Sequence, residues 1–403
     1  MHVINHYLSN VSKVVLLLLI LTNRSVFAQE DLTLHDSLNA ALETQSNQII
    51  MDNSEYIGSN AYLSWLDGVP SVSITHLSGQ DSLGSNESEI SLNLPIKSRF
   101  LKQIEQKLQS NMVSLRSAAN SQFSLYLSGI IRDLAWAIRL ENVRLQTLAS
   151  KQALLGSLAS QYTSMVNASA IPQYLMLIVT SELKQLKINE LSHQQNIVKL
   201  QNKYKRLTGL HTLPTDIEEA LPVTSAIALE QHPDVLALDA EFENAVQQLL
   251  GTSKKSSPWQ IQVTGRRIDS PGFSENQLGI GIEIPISIGE SLTSTQQSAY
   301  SKMNIDYDIS KRKLLHNLRE LLADLHQEFS YLQQKQSLLN SSASTLQSLT
   351  EAMQNLRAAN ATDQEFYIRT LLSTLDSQQE LALNLTFIQR QKALIRQSAG
   401  ISL

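Results

Sequence analysis

The sequence predicts a mainly α chain with a small β part, built as two copies of one unit: helix, strand, strand, long helix, helix. Three features predict it. A strand-like segment with an internal proline, Ile90-Ser-Leu-Asn-Leu-Pro-Ile96, recurs as Ile280-Gly-Ile-Glu-Ile-Pro-Ile286 with the same apolar alternation. Four further anchors keep nearly the same offset: Ala41-Leu42-Glu43 with Ala228-Leu229-Glu230, Pro70 with Pro258, Asn167-Ala168-Ser169 with Asn360-Ala361-Thr362, and Thr208-Gly209-Leu210 with Ala399-Gly400-Ile401. Lastly, two helical runs of about 67 residues contain no proline.

Taken in order, residues 1–28 read as a secretory signal. His2, His6 and Lys13 precede the apolar run Val14 to Leu21, and Val26-Phe27-Ala28 supplies the small residues a signal peptidase reads. The first repeat, 29–210, opens with a helix from about Leu34 to Trp65. Two period-2 strands follow, about 71–77 and 89–96, then the long helix from Ser98 to Met165 and a last helix, Gln173 to Leu207, stopped by Gly209. The second repeat, 211–403, has a helix from Ser225 to Ser253 broken at Pro233, strands at about 259–268 and 278–288, a long helix from Ser291 to Arg357, and a last helix from Asp363 to Ala399 stopped by Gly400. In each repeat the two shorter helices sum to about the length of the long one, so stacked end to end they would run beside it for its roughly 100 Å.

Composition narrows the function. The 403 residues include no cysteine, which excludes disulfides, thiolate nucleophiles and cysteine zinc sites. A net charge of -5 with 17% charged residues offers no basic stripe for nucleic acid. Apart from the signal, no apolar run approaches the roughly 18 residues of a membrane-spanning helix, so any passage through a bilayer must be made by strands. The strand alternation fits that role: Ile90, Leu92, Leu94 and Ile280, Ile282, Ile284 share one face, and Glu89, Ser91, Asn93, Gly279, Gly281 and Glu283 the other. An aliphatic face backed by small polar residues is the pattern of a lipid-facing, water-lined barrel. Four strands cannot close a barrel, so several chains must share one; a soluble β-sandwich inset between helices is the competing reading.

These residues resemble a family. The signal, the duplicated units, Pro95 and Pro285 near the strand ends, and the stretch from Gln379-Glu380-Leu381-Ala382 to Gly400 look like the TolC-type outer-membrane efflux proteins, over essentially the whole mature chain. The resemblance implies a homotrimer in which a 12-stranded barrel in the outer membrane of a Gram-negative cell continues into a 12-helix periplasmic tunnel. It further implies an exit duct working with a periplasmic adaptor (membrane fusion protein) and an inner-membrane pump. The His232-Pro233-Asp234-Val235 helix start and the strand pair from Arg266-Arg267-Ile268 to Pro285 look closest to the cation-efflux subgroup of resistance-nodulation-division systems, and so imply metal cations as cargo. Drug efflux and type I protein secretion are the alternatives within the family.

In this family the helix-to-helix turns at the periplasmic end form the gate. The glycine usual in each turn falls on Asn167 and Asn360, a residue tolerant of left-handed backbone. The aspartates that ring the constriction in well-known members fall on Phe366 and Arg369, which leaves Asp363 and Glu365 as candidate acidic rings and Phe366 as a candidate apolar constriction. Carboxylates at a helix start also complement its dipole.

No enzyme, cofactor or resident metal is expected. Asp324, His326 and Glu328 resemble a metal box, but positions two apart lie on different helix faces. Gly279-Ile-Gly281 lacks the third glycine and following helix of a dinucleotide loop. The rival classes are a periplasmic coiled-coil adaptor, which would lack the duplicated aliphatic strand pairs, and a secreted hydrolase, which would need an acid–base constellation.

Overall fold

The structure, a computed structural model, describes residues 32–49, 65–80, 84–223, 228–253, 259–284, 293–358 and 364–403. The expected signal and the positions Asn360 and Asp363 lie outside the described residues. The elements are α1 (Leu34–Ile49), β1 (Ser71–Leu77), β2 (Asn86–Ile96), α2 (Arg99–Asn167), α3 (Gln173–Thr208), α4 (Pro233–Ser253), β3 (Trp259–Ser270), β4 (Phe273–Glu283), α5 (Ser294–Ala358) and α6 (Gln364–Ser398).

Local chemistry sets the helix ends. Ser98 caps α2, its side chain accepting the Leu101 N–H. Gly209, at φ 74°, ends α3 by donating its N–H to the Lys205 carbonyl. Gly400, at φ 80°, ends α6 in the same left-handed way. The helix expected from Ser225 is interrupted where proline removes a donor: a single 3-10 turn, Leu229–Gln231, precedes α4, whose first residue is Pro233.

The long helices α2 and α5 have 69 and 65 residues, each about 100 Å long. The shorter helices line up along them. The Tyr204 hydroxyl, near the end of α3, donates to Ser37 Oγ of α1 at 2.8 Å, within a core of Leu38, Ala41, Leu127, Ile131 and Tyr204. The corresponding junction of α6 with α4 is close-packed, since a β carbon on Gly400 would lie 2.7 Å from His232 Cδ2 and 2.8 Å from Pro233 Cδ. Along the α5–α6 seam, Asn384 Nδ2 donates to the Leu332 carbonyl at 3.0 Å and Gln391 Nε2 to the Leu325 carbonyl at 2.9 Å. These amides sit one heptad apart on both helices, so they fix a single antiparallel register.

A buried ionic network ties the segment between the two halves to α2 and α6. Arg132, 1% exposed, donates through Nε and Nη2 to both carboxylate oxygens of Glu219 at 2.8 and 2.7 Å. Its Nη1 reaches Gln397 Oε1 at 2.5 Å and the Ile401 carbonyl at 3.0 Å, while Arg396 Nε adds a second cation to Glu219 at 2.9 Å.

The four strands form one antiparallel sheet in the order β1-β2-β3-β4. Three strands fall where the alternation puts them, with β2 starting earlier, at Asn86, and β3 running on to Ser270. The fourth starts earlier than its expected span of 278–288: β4 covers Phe273–Glu283, Ile284 follows it, and residues 285–288 lie outside the described residues. The turn explains the shift. Ser270 pairs with Phe273, leaving only Pro271 and Gly272 (φ 104°) between the strands, and a two-residue turn fixes the register of the whole hairpin.

Candidate functional site

The register assembles the apolar positions of separate strands into continuous rows. Ile74 faces Ile90, Gly265 and Leu278 across the sheet; Val72 faces Leu92, Val263 and Ile280; Leu94 faces Ile261 and Ile282; and Ile96 faces Trp259. On this face Leu278 is 92% exposed and Ile280 78%, a degree of exposure that large aliphatic side chains in adjoining rows do not show on an ordinary wetted surface. One row further along, the same face turns polar, with His76, Ser88, Arg267 and Asn276. Trp65 and Trp259, both exposed, stand at the opposite end of the sheet, beside the helices. The aliphatic patch is thus bounded along the strands, as a lipid-facing band is.

The other face is polar throughout its middle. Ser73, Ser91, Thr264 and Gly279 form one row, and Asn93, Gln262 and Gly281 the next. Ser91, fully buried, lies 3.1 Å from Thr264 Oγ1 and donates to Glu89 at 2.9 Å. Arg266 pairs with Glu87. Among the described residues both edge strands, β1 and β4, have an unpaired side, and both are exposed along their whole length.

At the far end of the helices the chain reverses between α2 and α3. Asn167 is the last helical residue, and the left-handed position is Ser169, at φ 54°. Ser169 N–H donates to the Val166 carbonyl at 2.9 Å and Ala170 N–H to the Met165 carbonyl at 2.8 Å, the paired bonds of a Schellman turn. The expectation that Asn167 itself takes the left-handed conformation is therefore corrected: the helix runs to Asn167, and the reversal comes two residues later. Behind the turn, Leu148, Leu155, Leu158 and Tyr162 of α2, Leu175 and Val179 of α3, and Tyr367, Ile368 and Leu371 of α6 share one apolar core.

The start of α6 presents the candidate gate side chains. Phe366 is 55% exposed although its neighbours Tyr367 and Ile368 are buried. Glu365 does not stand as an isolated negative charge, because Arg369 one turn on donates to it from Nε at 3.1 Å and Nη2 at 2.7 Å. The same stripe of α6 repeats the pattern: Asp376 meets Lys151 at 2.5 Å and Glu380 meets Lys335 at 2.9 Å, a contact that raises the lysine pKa. Carboxylates compensated by their own chain are poor material for an acidic ring. Among the described residues no three His, Cys, Asp or Glu side chains converge as metal ligands; on α5 Asp324 and Glu328 share a helix face, and His326 lies on another. No described helix is long and apolar enough to cross a membrane.

A four-stranded sheet with one bounded aliphatic face, set between helices about 100 Å long that end in a packed tip, is the protomer fold of the TolC-type outer-membrane channels. No protein-family model matches this sequence and no curated protein matches it. Solved structures do. The outer membrane protein VceC from Vibrio cholerae superimposes with a TM-score of 0.65 at 13% identity, over 92% of this chain and 96% of that one. CusC, described in terms of folding and transmembrane channel formation, gives 0.65 at 14% identity over 93% of each chain. The CmeC outer membrane channel of Campylobacter jejuni gives 0.62 at 11% identity over 91% of this chain and 85% of that one.

Proposed function

We propose that three copies of this chain form a channel in the outer membrane of a Gram-negative cell and serve as the exit duct of a tripartite efflux pump, with no enzymatic step. The observation that carries this reading is the sheet: four strands with a bounded aliphatic face, a polar opposite face and two open edges. In lipid an open edge leaves backbone groups unsatisfied at several kcal/mol each, so β4 of one chain must pair with β1 of the next. Three chains supply the 12 strands of a closed barrel, and residues 1–28 direct export. The helices support the same assembly. On α3 the exposed apolar residues Tyr174, Leu177, Ile188, Leu191 and Val198 keep heptad positions, as do Leu321, Tyr331, Leu338 and Leu349 on α5, and both stripes stay exposed among the described residues.

In this reading the two repeats, 29–210 and 211–403, arose by duplication, and the tips around Asn167 and Asn360 meet a periplasmic adaptor. An inner-membrane pump of the resistance-nodulation-division type provides the energy. Phe366, rather than Asp363 or Glu365, supplies the constriction. Metal cations are the cargo on the strength of the cation-efflux resemblance, with organic toxicants the second reading. Deletion in cells expressing the pump operon should sensitise them to Cu, Ag, Zn or Co ions, or to organic toxicants under the second reading. Unchanged sensitivity to both classes rejects the efflux role. In planar bilayers Phe366→Ala should raise conductance, while neutralising Asp363 and Glu365 leaves it nearly unchanged; the reverse result restores the acidic ring.

A further inference from the structure

From Leu191 to Thr208 every lysine and arginine of α3 goes uncountered, since Lys199, Lys203, Lys205 and Arg206 share that stretch with no carboxylate. Across 320–328, α5 is the reverse, with Glu320, Asp324 and Glu328 and no lysine or arginine. Each run continues an exposed apolar stripe in steps of seven residues: Leu191, Val198, Lys205 on α3 and Leu338, Tyr331, Asp324 on α5. Leu191 is 68% exposed and Leu338 73%. Lys205 and Asp324 are exposed as well, and neither makes an ion pair among the described residues. The two helices do not meet within the described chain. Gln152 of α2 bonds Glu190 of α3, Lys151 of α2 bonds Asp376 of α6, and Thr374 of α6 bonds Thr350 of α5, so α3 and α5 are the outer members of a four-helix layer and run antiparallel to each other. The same contacts fix their relative height. Asp376 lies between the α6 contacts Thr374 with Thr350 and Asn384 with Gln336, which sets Glu190 level with residues 336–350 of α5. Farther from the tip, Tyr204 packs with Leu127, Gln397 bonds the Leu125 carbonyl close by, and Gln391 bonds the Leu325 carbonyl, which sets Tyr204 level with about residue 319 of α5. The register that opposes Leu191 to Leu338, Val198 to Tyr331 and Lys205 to Asp324 falls between these two limits.

We propose that α3 of one chain packs on α5 of a second copy in this register, and that the pairing of Lys205 with Asp324 between chains rejects the registers one heptad to either side. This rests on the three-chain reading above. The occupant of each stripe is a second copy because the basic and acidic faces complement one another and lie at opposite ends of the same layer, so identical chains join head to tail around a closed ring. The apolar residues alone do not choose a register, since a slip of seven still sets apolar against apolar, as Val198 against Leu338 or Leu191 against Tyr331. The charges do choose. One slip covers the Lys205 ammonium with Tyr331, the other covers the Asp324 carboxylate with Val198, and either leaves a charge desolvated without a partner.

The test uses the full chain in its native membrane with a short thiol crosslinker, the chain having no cysteine of its own. Leu191→Cys with Leu338→Cys should link chains to one another, whereas Val198→Cys with Leu338→Cys, which reports the slipped register, and Leu191→Cys with Ser337→Cys, at the same height but off the stripe, should not. On the first pair, Lys205→Glu or Asp324→Lys should each lower the yield of linked chains about fivefold, and the two together should restore it, because the exchange rebuilds the pair with its sign reversed. Linking at Val198 and Leu338 as strong as at Leu191 and Leu338 overturns the register. Single charge variants that link like the unaltered pair, or a double variant no better than the singles, overturn the role of the charges. If a single variant fails to accumulate, the double variant decides: normal accumulation and linking support the pairing, and failure of both overturns it. A chain that runs as a monomer on unheated gels refutes the three-chain reading itself, whereas a trimer band without any link from α3 to α5 refutes only this contact.

Discussion

Ile280→Arg is the perturbation for which the sheet gives the plainest magnitude. Ile280 lies on β4 in the row with Val72, Leu92 and Val263, flanked by the rows of Leu278 and Ile282. Rows are two residues apart, about 7 Å along a strand, so the apolar stripe of β2 from Ile90 to Ile96 runs about 20 Å and the Ile280 row falls near its middle. An arginine facing lipid at that depth costs about 2–4 kcal/mol. The proposed closed ring of three chains would carry the substitution three times, which brings the cost to about 6–12 kcal/mol, comparable with the whole stability of a domain. The matched control is Gln262→Arg, on the polar face of the neighbouring strand, where water solvates the guanidinium. Outer-membrane fractionation followed by an unheated gel should show Ile280→Arg almost absent from the trimer band and Gln262→Arg close to wild type. Equal trimer yields for the two variants would refute the assignment of faces.

Three further outcomes follow from other parts of the chain. Ser169→Gly should stabilise the tip by about 0.5–1 kcal/mol and Ser169→Val destabilise it by about 1–2 kcal/mol, read by thermal unfolding, because the left-handed φ falls there; Asn167→Val, in helical backbone, should have the smaller effect. Glu219→Ala leaves the buried Arg132 without its bidentate partner and should cost about 3–5 kcal/mol, seen as a lowered melting temperature with export impaired. Burial depresses the His232 pKa below its ordinary value of 6.5, so the unfolded chain binds the extra proton first and stability falls as pH drops through 6.5 toward the folded-state pKa; Asp234 opposes but does not reverse this. His232→Asn, which retains an acceptor for the Asp234 N–H, should flatten the loss of melting temperature between pH 8 and 5.5, and an unchanged slope would assign it to other groups.

Local signals in the sequence are strong where one residue decides the geometry. The glycines that stop α3 and α6 and the period-2 faces of β1 to β3 are readable because each rests on a backbone angle or on the pleat. The start of β4 is missed because the Ile alternation lies toward its far end, while the turn at Pro271 and Gly272 has already set where pairing starts. Asn167 draws attention as the tolerant residue, yet helix continuation carries the left-handed angle to Ser169. The compensation of Glu365 is legible as an i, i+4 pair with Arg369. The Arg132 network and the Lys151–Asp376 pair are not, because their partners lie 87, 265 and 225 residues away and only packing brings them together.

The central claim is that β1 of one chain closes on β4 of the next to make a three-chain barrel. The sequence has no cysteine, so every thiol introduced is diagnostic. A scan pairing one cysteine on β1, at Val72, Ser73, Ile74 or Thr75, with one on β4, at Gln277, Leu278, Gly279 or Ile280, tests that contact directly on protein in its native membrane. The account predicts that at least one register oxidises to a species of three chains that survives boiling in detergent and returns to single chains on reduction. Exclusively monomeric bands, or an open ladder of dimers and larger species, would contradict it.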